Sequence, residues 1–284
     1  METRKCLLAQ VVFSLFVTLL SCSLVQAETI NCTPIPSLPW TITTQGIHCL
    51  TSDLATSMTS GHAIEIATNN VVIDLNGHKI GGLGAGPDTT AFGIYAYQRQ
   101  NITIRNGTVR GFQKGIVLDD PGPYWLSQGH LIEDIRADMN TYRAIDVYGR
   151  GIIIRNNQVV STVGGVAYGI SAAGPGNRIL NNDVCETKST QAYYAFGINV
   201  EDGPDIVIAN NRVGNETNEG ALSYGIFVQT SGVLIKDNTI SMWGHGIHFN
   251  SPSLTGLYMN NMAIGCTTPF LGGTPAGSTN YSVP

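Results

Sequence analysis

Charged residues are scarce in this chain. Its 284 residues include 15 Lys or Arg and 20 Asp or Glu, which is 12% of the sequence and a net charge of −5 at pH 7. Proteins that bind nucleic acids or anionic membranes through electrostatic attraction need a basic surface. The acidic balance argues against both classes of partner, and we expect no nucleic-acid partner.

The chain also lacks an apolar run of comfortable membrane-spanning length. The best candidate, residues 7–20, is shorter than the ~20 residues that a membrane helix needs. It follows Arg4 and Lys5 and precedes a small-residue site that ends at Ala27, the pattern of a secretory signal peptide. We therefore predict that residues 1–27 are a signal peptide cleaved after Ala27. The mature protein is then secreted or periplasmic, with no stable membrane span.

Two alternatives remain open for the N-terminus. The apolar segment can stay attached as an anchor instead of being cleaved. Cys22 follows Leu19, Leu20 and Ser21 in an arrangement similar to a lipoprotein processing site, although Leu20 fits the middle position of that site poorly. Lipid anchoring at Cys22 is therefore the second alternative, and in both cases the chain is exported.

Cysteines are few, and four of the six remain after the predicted cleavage. Cys32 and Cys49 are close in sequence, and in an exported protein we predict that they form a disulfide. Cys185 and Cys266 lie three predicted turns apart, about 14 Å at ~4.8 Å per stacked strand. A disulfide needs Cα atoms within ~7 Å. We expect Cys185 to be a buried thiol unless the C-terminal tail folds back.

Several ligand-binding motifs are missing. The sequence has no P-loop, no dinucleotide-binding glycine pattern and no zinc-ribbon pattern. Five of the six histidines, at positions 62, 78, 130, 245 and 248, do not have the spacing of a metal-ligand cluster. We therefore predict no resident metal site from these residues.

A Gly-Ile dipeptide recurs through the chain at intervals of 21 to 30 residues, with Ala-Ile at two places. Such a period is typical of a solenoid, in which equivalent turns stack on one another. Low charge, abundant glycine and many β-branched residues favour long parallel sheets over a helical domain. The first residues of these dipeptides are Ala63, Gly93, Gly115, Ala144, Gly169, Gly197, Gly225 and Gly246.

A second regular segment follows the Gly-Ile strands, for example at residues 152–159 and 206–213. Apolar residues alternate into an Asn or Asp pair and then resume, which indicates two short strands that meet at a sharp corner. Asn tolerates the left-handed backbone conformation that such a corner needs. We expect a structural ladder of stacked polar side chains formed by Asn106, Asp134, Asn156, Asn181, Asn210, Asp237 and Asn261.

The Gly-Ile strands, the Asn-Asn corners and the opening segment at residues 70–78 resemble right-handed parallel β-helix proteins of the pectate-lyase-like superfamily. The resemblance implies an all-β fold, a single-stranded right-handed parallel β-helix of about eight coils. We assign residues 61–266 to this β-helix, residues 28–60 to an N-terminal cap and residues 267–284 to a C-terminal tail. An uninterrupted repeat predicts one elongated domain, which we expect to be a monomer.

Alternation along each strand predicts which residues face outward. If the repeat isoleucine points inward, the residues two and four positions after each Gly or Ala share the outer face, and the Gly begins a third column of bare backbone. Carboxylates, amides and aromatic rings beside bare backbone suit a linear sugar chain. The substrate-binding candidates are Tyr95, Tyr97, Lys114, Tyr124, Trp125, Asn199, Glu201, His248 and Asn250.

Long loops add a second indication of function. Residues 120–130 interrupt the short turns of the repeat and carry Tyr124 and Trp125, while residues 187–194 and 214–222 form the longest loops on the opposite edge. Long loops on a repeat scaffold often carry binding residues. We expect these loops to wall a groove over coils three to six.

Four residues on neighbouring coils are the catalytic candidates. Asp119 and Asp146 have Cα atoms about 8 Å apart when one strand spacing is combined with two residues along the strand. Paired carboxylates at such separations hydrolyse glycosidic bonds. An elimination reaction is the alternative, in which a basic residue or Tyr148 takes the proton and carboxylates hold Ca²⁺. Arg143 precedes the same strand and completes the candidate set.

Enzyme motifs of the superfamily are matched only in part. Gly244, His245 and Gly246 match the Gly-His-Gly of polygalacturonases, but its companion Asn-Thr-Asp and paired-Asp motifs are missing from the matching context. The Arg-x-Pro-x-x-Arg of many pectate lyases and the Asp-Pro-His-Asp of alginate epimerases are absent as well. Two hypotheses therefore stand. The chain is a polysaccharide lyase or glycoside hydrolase, or it is a non-catalytic exported β-helix that binds a glycan or a protein partner.

Overall fold

Short strands follow one another along nearly the whole of the computed structural model, which describes residues 31–122, 126–191 and 193–284. A single 3₁₀ turn, Leu83–Ala85, is the one helical element in these ranges. The strands are β1 (Thr33–Pro34), β2 (Trp40–Ile42), β3 (Gly46–Cys49), β4 (Leu54–Ala55), β5 (His62–Ile66), β6 (Val71–Asp74), β7 (Lys79–Gly81), β8 (Phe92–Tyr97), β9 (Ile102–Arg110), β10 (Lys114–Asp119), β11 (Leu131–Asp138), β12 (Arg143–Tyr148), β13 (Ile153–Arg155), β14 (Gln158–Gly164), β15 (Ala167–Ala173), β16 (Arg178–Leu180), β17 (Asp183–Ser189), β18 (Ala195–Val200), β19 (Ile206–Ala209), β20 (Arg212–Gly214), β21 (Ser223–Val228), β22 (Val233–Lys236), β23 (Thr239–Ser241), β24 (His245–Phe249), β25 (Gly256–Met259), β26 (Met262–Ile264), β27 (Thr268–Leu271), β28 (Thr274–Pro275) and β29 (Tyr281–Val283).

Every strand pairs in parallel with its equivalent one turn away. Ten strands form one sheet in the order β2-β5-β8-β10-β12-β15-β18-β21-β24-β27, and the other 19 form a second, folded sheet. The predicted right-handed parallel β-helix is thus confirmed. The eight repeats of the sequence are the eight strands from β5 to β24, and β2 and β27 add one strand at each end. Strands from residues 28–60 and 267–284 also pair with the stack.

The repeat isoleucines form the core. Ile64, Ile116 and Ile170 are fully buried, and apolar residues from both sheets pack against them in one continuous cluster. Burial of each such side chain contributes about 1.5–3 kcal/mol. Because each coil repeats the same inward positions, the core extends along the whole stack.

The glycine of each repeat faces inward, which corrects our expectation of a bare backbone column on the outer face. A Cβ on Gly169 would overlap Val184 and lie 2.6 Å from the carbonyl oxygen of Gly197. Gly93 is crowded in the same way by Val109 and by the carbonyl oxygen of Gly115. Glycine is therefore required by close packing inside the coil, and the sheet offers no bare strip to a ligand.

The Asn and Asp corners adopt the left-handed conformation that the sequence predicts. The backbone φ angles of Asn156, Asn181 and Asn210 are 56°, 56° and 58°, and Asp134 and Asp237 have 53° and 59°. Asn and Asp tolerate this region better than other non-glycine residues. At Asn156, Asn181, Asn210 and Asp237 the corner separates two short strands, whereas Asp134 lies within the continuous strand β11.

The buried polar ladder lies one residue beyond these corners. Asn157, Asn182 and Asn211 are almost fully buried, and each donates from Nδ2 to the side-chain oxygen of the next ladder residue at 3.0 Å. The expected ladder is therefore displaced by one position at four of its seven predicted members, because the first residue of each pair uses its conformation to make the turn. Asn261 belongs to the ladder as predicted, and Asn106 and Asp134 do not, since Gly107 and Ile135 follow them. The continuous ladder is formed by Asn157, Asn182, Asn211, Asn238, Asn261 and Asn280.

The predicted disulfide is present. Cys32 and Cys49 are bonded with a Cα–Cα distance of 5.8 Å, while Cys185 and Cys266 are free and half-buried. A structural disulfide is typical of an oxidising compartment. No helix within the described ranges is long and apolar enough to cross a membrane. The predicted signal peptide and Cys22 lie outside the described residues.

Candidate functional site

The outer face of the ten-stranded sheet presents three columns of side chains. We define the entry column as the residues that precede the repeat Gly or Ala, the central column as those two positions after it, and the exit column as those four positions after it. Strand register aligns the central column throughout, from Glu65 to His248. The entry column consists of His62, Phe92, Lys114, Arg143, Tyr168, Phe196, Tyr224 and His245.

Aromatic rings and cations stack along the entry column. Lys114 Nζ lies 5.4 Å from the centroid of the Phe92 ring, and Arg143 Cζ lies 4.4 Å from that of Tyr168. Tyr168 stacks on Phe196 with ring centroids 4.7 Å apart, and the stack continues toward His245. Cation–π and aromatic contacts of this kind each contribute about 0.5–1.5 kcal/mol. The column is thus a packed wall beside the other two columns.

Asp146 occupies the centre of the face and is completely buried. Its Oδ2 lies 2.7 Å from Lys114 Nζ, and its Oδ1 lies 2.7 Å from Arg143 Nη1. A carboxylate with no exposed surface and two bound cations cannot donate or accept a proton from a substrate in this arrangement. We therefore change the role of Asp146 from an acid or base to a residue that holds Lys114 and Arg143.

Arg143 connects Asp146 to the exit column. Its Nη1 donates to the hydroxyl of Tyr148 at 2.8 Å, and its Nη2 lies 3.2 Å from Glu201 Oε1. Tyr148 in turn donates its hydroxyl proton to Glu201 Oε2 at 3.1 Å. With Lys114, five of the predicted site residues therefore form one hydrogen-bonded network that extends from β10 to the residue after β18.

The exit column carries the accessible polar groups of the face. The central column is nearly closed to solvent between β10 and β18, because Val117, Asp146, Ser171 and Asn199 are each at most 2% exposed. Asn199, predicted as a substrate ligand, instead donates to Glu201 Oε1 at 3.1 Å. The partly or fully exposed polar members of the exit column are Tyr97, Asp119, Tyr148, Glu201, Gln229 and Asn250.

Asp119 is a half-buried acid in this column. Burial raises its pKa, and the charge of Asp146 raises it further, while the ammonium group of Lys114 opposes the shift. Tyr95 lies beside it, and burial together with the Asp119 charge raises the pKa of Tyr95 to about 12. A carboxyl group whose protonated form is favoured is suited to proton donation. Asp119 is therefore the candidate acid of the face.

Tyr148 is poorly suited to remove a proton. Burial raises the pKa of its hydroxyl, and the charge of Asp146 raises it further. A phenol held neutral in this way donates hydrogen bonds, as the bond to Glu201 shows. Its position between Asp119 and Glu201 in the exit column makes it a donor toward a ligand, and disfavours the base role that an elimination reaction would require.

Aromatic residues continue the face toward the C-terminus. His248 packs edge-on against Phe227, with ring centroids 5.3 Å apart, and lies close to His245 and Tyr224. Burial lowers the pKa of both histidines, so that both favour the neutral form. His245, from the Gly-His-Gly sequence, is thus a member of the entry-column stack. Asn250 lies exposed at the end of the exit column.

The long loops lie on opposite edges of the face. A cavity of about 210 Å³ on the entry side is lined by Ser189, Gln191, Tyr193, Ala195, Glu219, Ala221, Leu222 and Ser223. On the exit side, Asp120 is buried and accepts a hydrogen bond from the backbone N–H of Ser127 at 2.9 Å. Tyr124 and Trp125 lie outside the described residues, so their candidate roles remain predictions.

His130 stabilises the base of the exit-side loop. Its Nδ1 accepts from the backbone N–H of Ile102 at 3.1 Å, which leaves Nε2 to donate to Ser127 Oγ at 2.8 Å. Burial lowers the pKa of His130 to about 4. Both ring nitrogens have fixed partners and the ring is 1% exposed. His130 and Ser127 are thus structural and not a catalytic pair.

We predict that acid weakens the fold through His130. Its pKa is 6.5 in the unfolded chain and about 4 in the folded one, so the unfolded state binds more protons as the pH falls from 6.5 to 4. Stability contributed by the neutral ring is present above pH 6.5 and declines by about 3 kcal/mol over this window. Urea unfolding at pH 7 and at pH 4.5 measures the loss.

The matched variant is His130→Asn. Its amide can accept from Ile102 and donate to Ser127, yet it does not titrate. The difference in unfolding free energy between wild type and variant should narrow as the pH falls from 7 to 4.5. Parallel pH dependences of the two proteins would contradict the role given to His130.

No group of three His, Cys, Asp or Glu side chains converges on a common point in the parts of the chain that the structure describes. Two carboxylates of the outer face, Asp146 and Glu201, instead contact Lys114, Arg143 and Tyr148. The donor set therefore does not fit the Ca²⁺ site that an elimination reaction was expected to use.

Sequence reasoning missed two features of this face. Glu201 was predicted only as a substrate ligand, whereas it accepts hydrogen bonds from Tyr148, Ser171 and Asn199 and pairs with Arg143. The entry column was missed as a set because only residues from the repeat Gly or Ala onward were assigned to the outer face. The signal was available: an aromatic residue or a cation precedes six of the eight Gly-Ile or Ala-Ile dipeptides, and histidine precedes the other two, at Ala63 and Gly246.

Comparison with known proteins identifies no family from sequence. No protein-family model matches the chain, and no curated protein matches it. Among solved structures, the chain is similar to the Dettilon tailspike protein, with a TM-score of 0.51, 15% identity and coverage of 89% of this chain and 60% of that one. This chain thus spans about 60% of the length of that protein, and the likeness shows a shared β-helix fold.

Two further solved structures are less similar. One is the enzymatically active domain of tailspike protein 2 from bacteriophage CBA120, with a TM-score of 0.39, 12% identity and coverage of 84% of this chain and 41% of that one. The other is a mutant tailspike protein of E. coli bacteriophage HK620 in complex with a pentasaccharide, with a TM-score of 0.37, 12% identity and coverage of 84% and 58%. Neither adds to the fold assignment.

Proposed function

We propose that the protein is exported and binds a polysaccharide along the exit column, where it hydrolyses a glycosidic bond. The observation that carries the proposal is the arrangement of Asp119, Tyr148 and Glu201 in one accessible column, with Glu201 and Tyr148 held by Arg143. Exposed Tyr97 at one end and Asn250 at the other extend the column parallel to the axis of the stack. Sugar hydroxyls and rings suit such groups.

In the proposed reaction Asp119 is the acid and Glu201 the base. Water adds across the bond between the anomeric carbon and the leaving oxygen. Glu201 takes a proton from the water, whose oxygen bonds to the anomeric carbon, while Asp119 gives its proton to the leaving oxygen. The Cα atoms are about 14 Å apart, three strand spacings, and the Glu201 carboxylate extends to β12, where it contacts Arg143 and Tyr148. This favours the wider carboxyl separation of inverting glycosidases over the ~5 Å of retaining enzymes.

Incubation of the purified protein with a panel of polysaccharides tests the proposal. We expect new reducing ends from at least one member. Asp119→Asn and Glu201→Gln should each lower the rate by about 10²–10⁴-fold, the usual contribution of general acid–base catalysis. Because the protonated form of Asp119 is active, the rate should decline as the pH rises through its elevated pKa.

Asp237→Asn is the matched control. Asp237 lies at a corner of the other sheet with a φ of 59°, where Asn occupies the equivalent position of several coils. Its rate should equal that of wild type. Equal rates in all four proteins would remove Asp119 and Glu201 from the reaction, and binding without any product would favour the second candidate function.

That second candidate is glycan binding without turnover. It is supported by the complete burial of Asp146 in its two ion pairs. The accessible carboxyls of the exit column are then Asp119 and Glu201, which lie three strand spacings apart. In this case Tyr97 and Tyr148 bind sugar rings and Glu201 binds hydroxyls. Glycan-array binding that is lost in Tyr97→Ala or Tyr148→Ala, with no product formed, would support it over the hydrolase.

A further inference from the structure

The outer face has two cations, and both are already paired. The ten strands of its sheet contain Lys114 and Arg143 as their only Lys or Arg residues. Lys114 lies 2.7 Å from Asp146, and Arg143 lies 2.7 Å from Asp146 and 3.2 Å from Glu201. An incoming anion would have to compete with these carboxylates for both cations.

Carboxyl groups outnumber the cations of the face. The same strands contain Glu65, Asp119 and Asp146, and Glu201 directly follows β18. Asp146 has no exposed surface, so water does not displace Lys114 and Arg143 from its carboxylate. The face therefore offers an anionic sugar no free partner and at least one uncompensated negative charge.

Two arginines, Arg99 and Arg150, each lie two residues after an exit-column tyrosine. Arg150 donates to Gln128 Oε1 at 2.8 Å and lines a cavity of about 530 Å³ together with Asp205. Arg99 precedes the same corner of an earlier coil. These residues lie past the end of their strands, and a carboxylate of Asp205 shares the cavity with Arg150.

We infer that the exit column selects an uncharged glycan over one that contains uronic acids, and that Asp146 determines this specificity. Asp146 acts by keeping Lys114 and Arg143 from serving as anion sites. The inference rests on the proposed function, because it concerns the ligand of the same column. It also makes Arg143 a positioning residue for Tyr148 and Glu201.

Binding to two matched sets of oligosaccharides tests the inference. Neutral oligomers of glucose, galactose, mannose and N-acetylglucosamine are compared with oligogalacturonate and oligoguluronate of the same length. We expect wild type to bind at least one neutral oligomer tenfold or more tightly than either uronate. Asp146→Asn should gain uronate affinity by tenfold or more at low salt, and added salt should reverse the gain.

Two further variants keep the test decisive. If Asp146→Asn does not fold, Glu201→Gln frees one side of Arg143 at a partly exposed position and should gain uronate affinity in the same direction. Asp237→Asn makes the same charge change beside Lys236, which lies 3.9 Å from Asp237 on the other sheet, and should gain none.

The outcomes separate the inference from the proposed function. Wild-type binding of uronates as tight as that of neutral oligomers would overturn the inference and leave glycan binding intact. A gain in Asp237→Asn equal to that in Asp146→Asn would show a general charge effect and overturn the role of Asp146. Failure to bind any oligomer of either set would overturn both.

Discussion

Asn211→Asp should destabilise the protein by more than about 3 kcal/mol. The Asn211 amide donates to the carbonyl oxygen of Ile179 and to Asn238 Oδ1, and its own oxygen accepts two bonds from Asn182. A carboxylate cannot make either donation, and it places a charge at a site that is 2% exposed. Each buried group left without a partner costs about 1–3 kcal/mol.

The adjacent residue supplies a control with the same chemical change. Asn210 is exposed and has a φ of 58°, and Asp occupies the equivalent corner at Asp134 and Asp237. Asn210→Asp should therefore stay within about 0.5 kcal/mol of wild type, as is usual for surface substitutions. Thermal and urea unfolding measure both variants. Similar losses at the two positions would contradict the ladder as a main source of stability.

Gly197→Ala should cost about 3 kcal/mol even though alanine is only one methyl group larger. The new Cβ would overlap Val213 Cγ1, lie 2.7 Å from the carbonyl oxygen of Gly225 and lie 3.1 Å from Trp243. Val213 is β-branched and fully buried, so it has little freedom to move. Overpacking of a dense core costs about 1–3 kcal/mol or more.

Gly165→Ala is the matched control for this prediction. A Cβ at Gly165 meets no atom within 4 Å, and the residue has an ordinary backbone conformation. It should be neutral or slightly stabilising, because alanine restricts the unfolded chain. Addition of Val213→Ala should recover part of the Gly197→Ala loss, with a coupling of about 1 kcal/mol. Equal stability of Gly197→Ala and Gly165→Ala would disprove the packing role of the repeat glycine.

The comparison of Ala144 with Gly197 shows the limit of reasoning from the repeat alone. Ala144 is fully buried at the equivalent position and accepts its methyl group, so the repeat position does not forbid a side chain in every coil. The neighbouring side chains and the next strand decide whether the methyl fits. The repeat period therefore identified the glycine positions correctly. The alternation rule placed them on the outer face, whereas they face the core.

The site was predicted in part. Alternation placed Asp119, Tyr148 and Glu201 in one outward column, because side chains in a strand alternate with a period of two. It did not predict that Lys114 and Arg143, each of which precedes a repeat Gly or Ala, would cover Asp146 and bury it. Burial depends on two long side chains that close over a shorter one, Arg143 from the same strand and Lys114 from the neighbouring coil, and the alternation of a single strand does not contain that information.

The amino-acid sequence by itself determined the parallel β-helix, the corners at Asn and Asp and the Cys32–Cys49 disulfide. These features follow from period, backbone preference and spacing, which are local properties repeated along the chain. Only the tertiary structure decided which asparagine of each pair forms the ladder, and which carboxylates of the outer face remain accessible. Those outcomes depend on contacts between residues more than 20 positions apart, where stacking brings separate coils within hydrogen-bond distance.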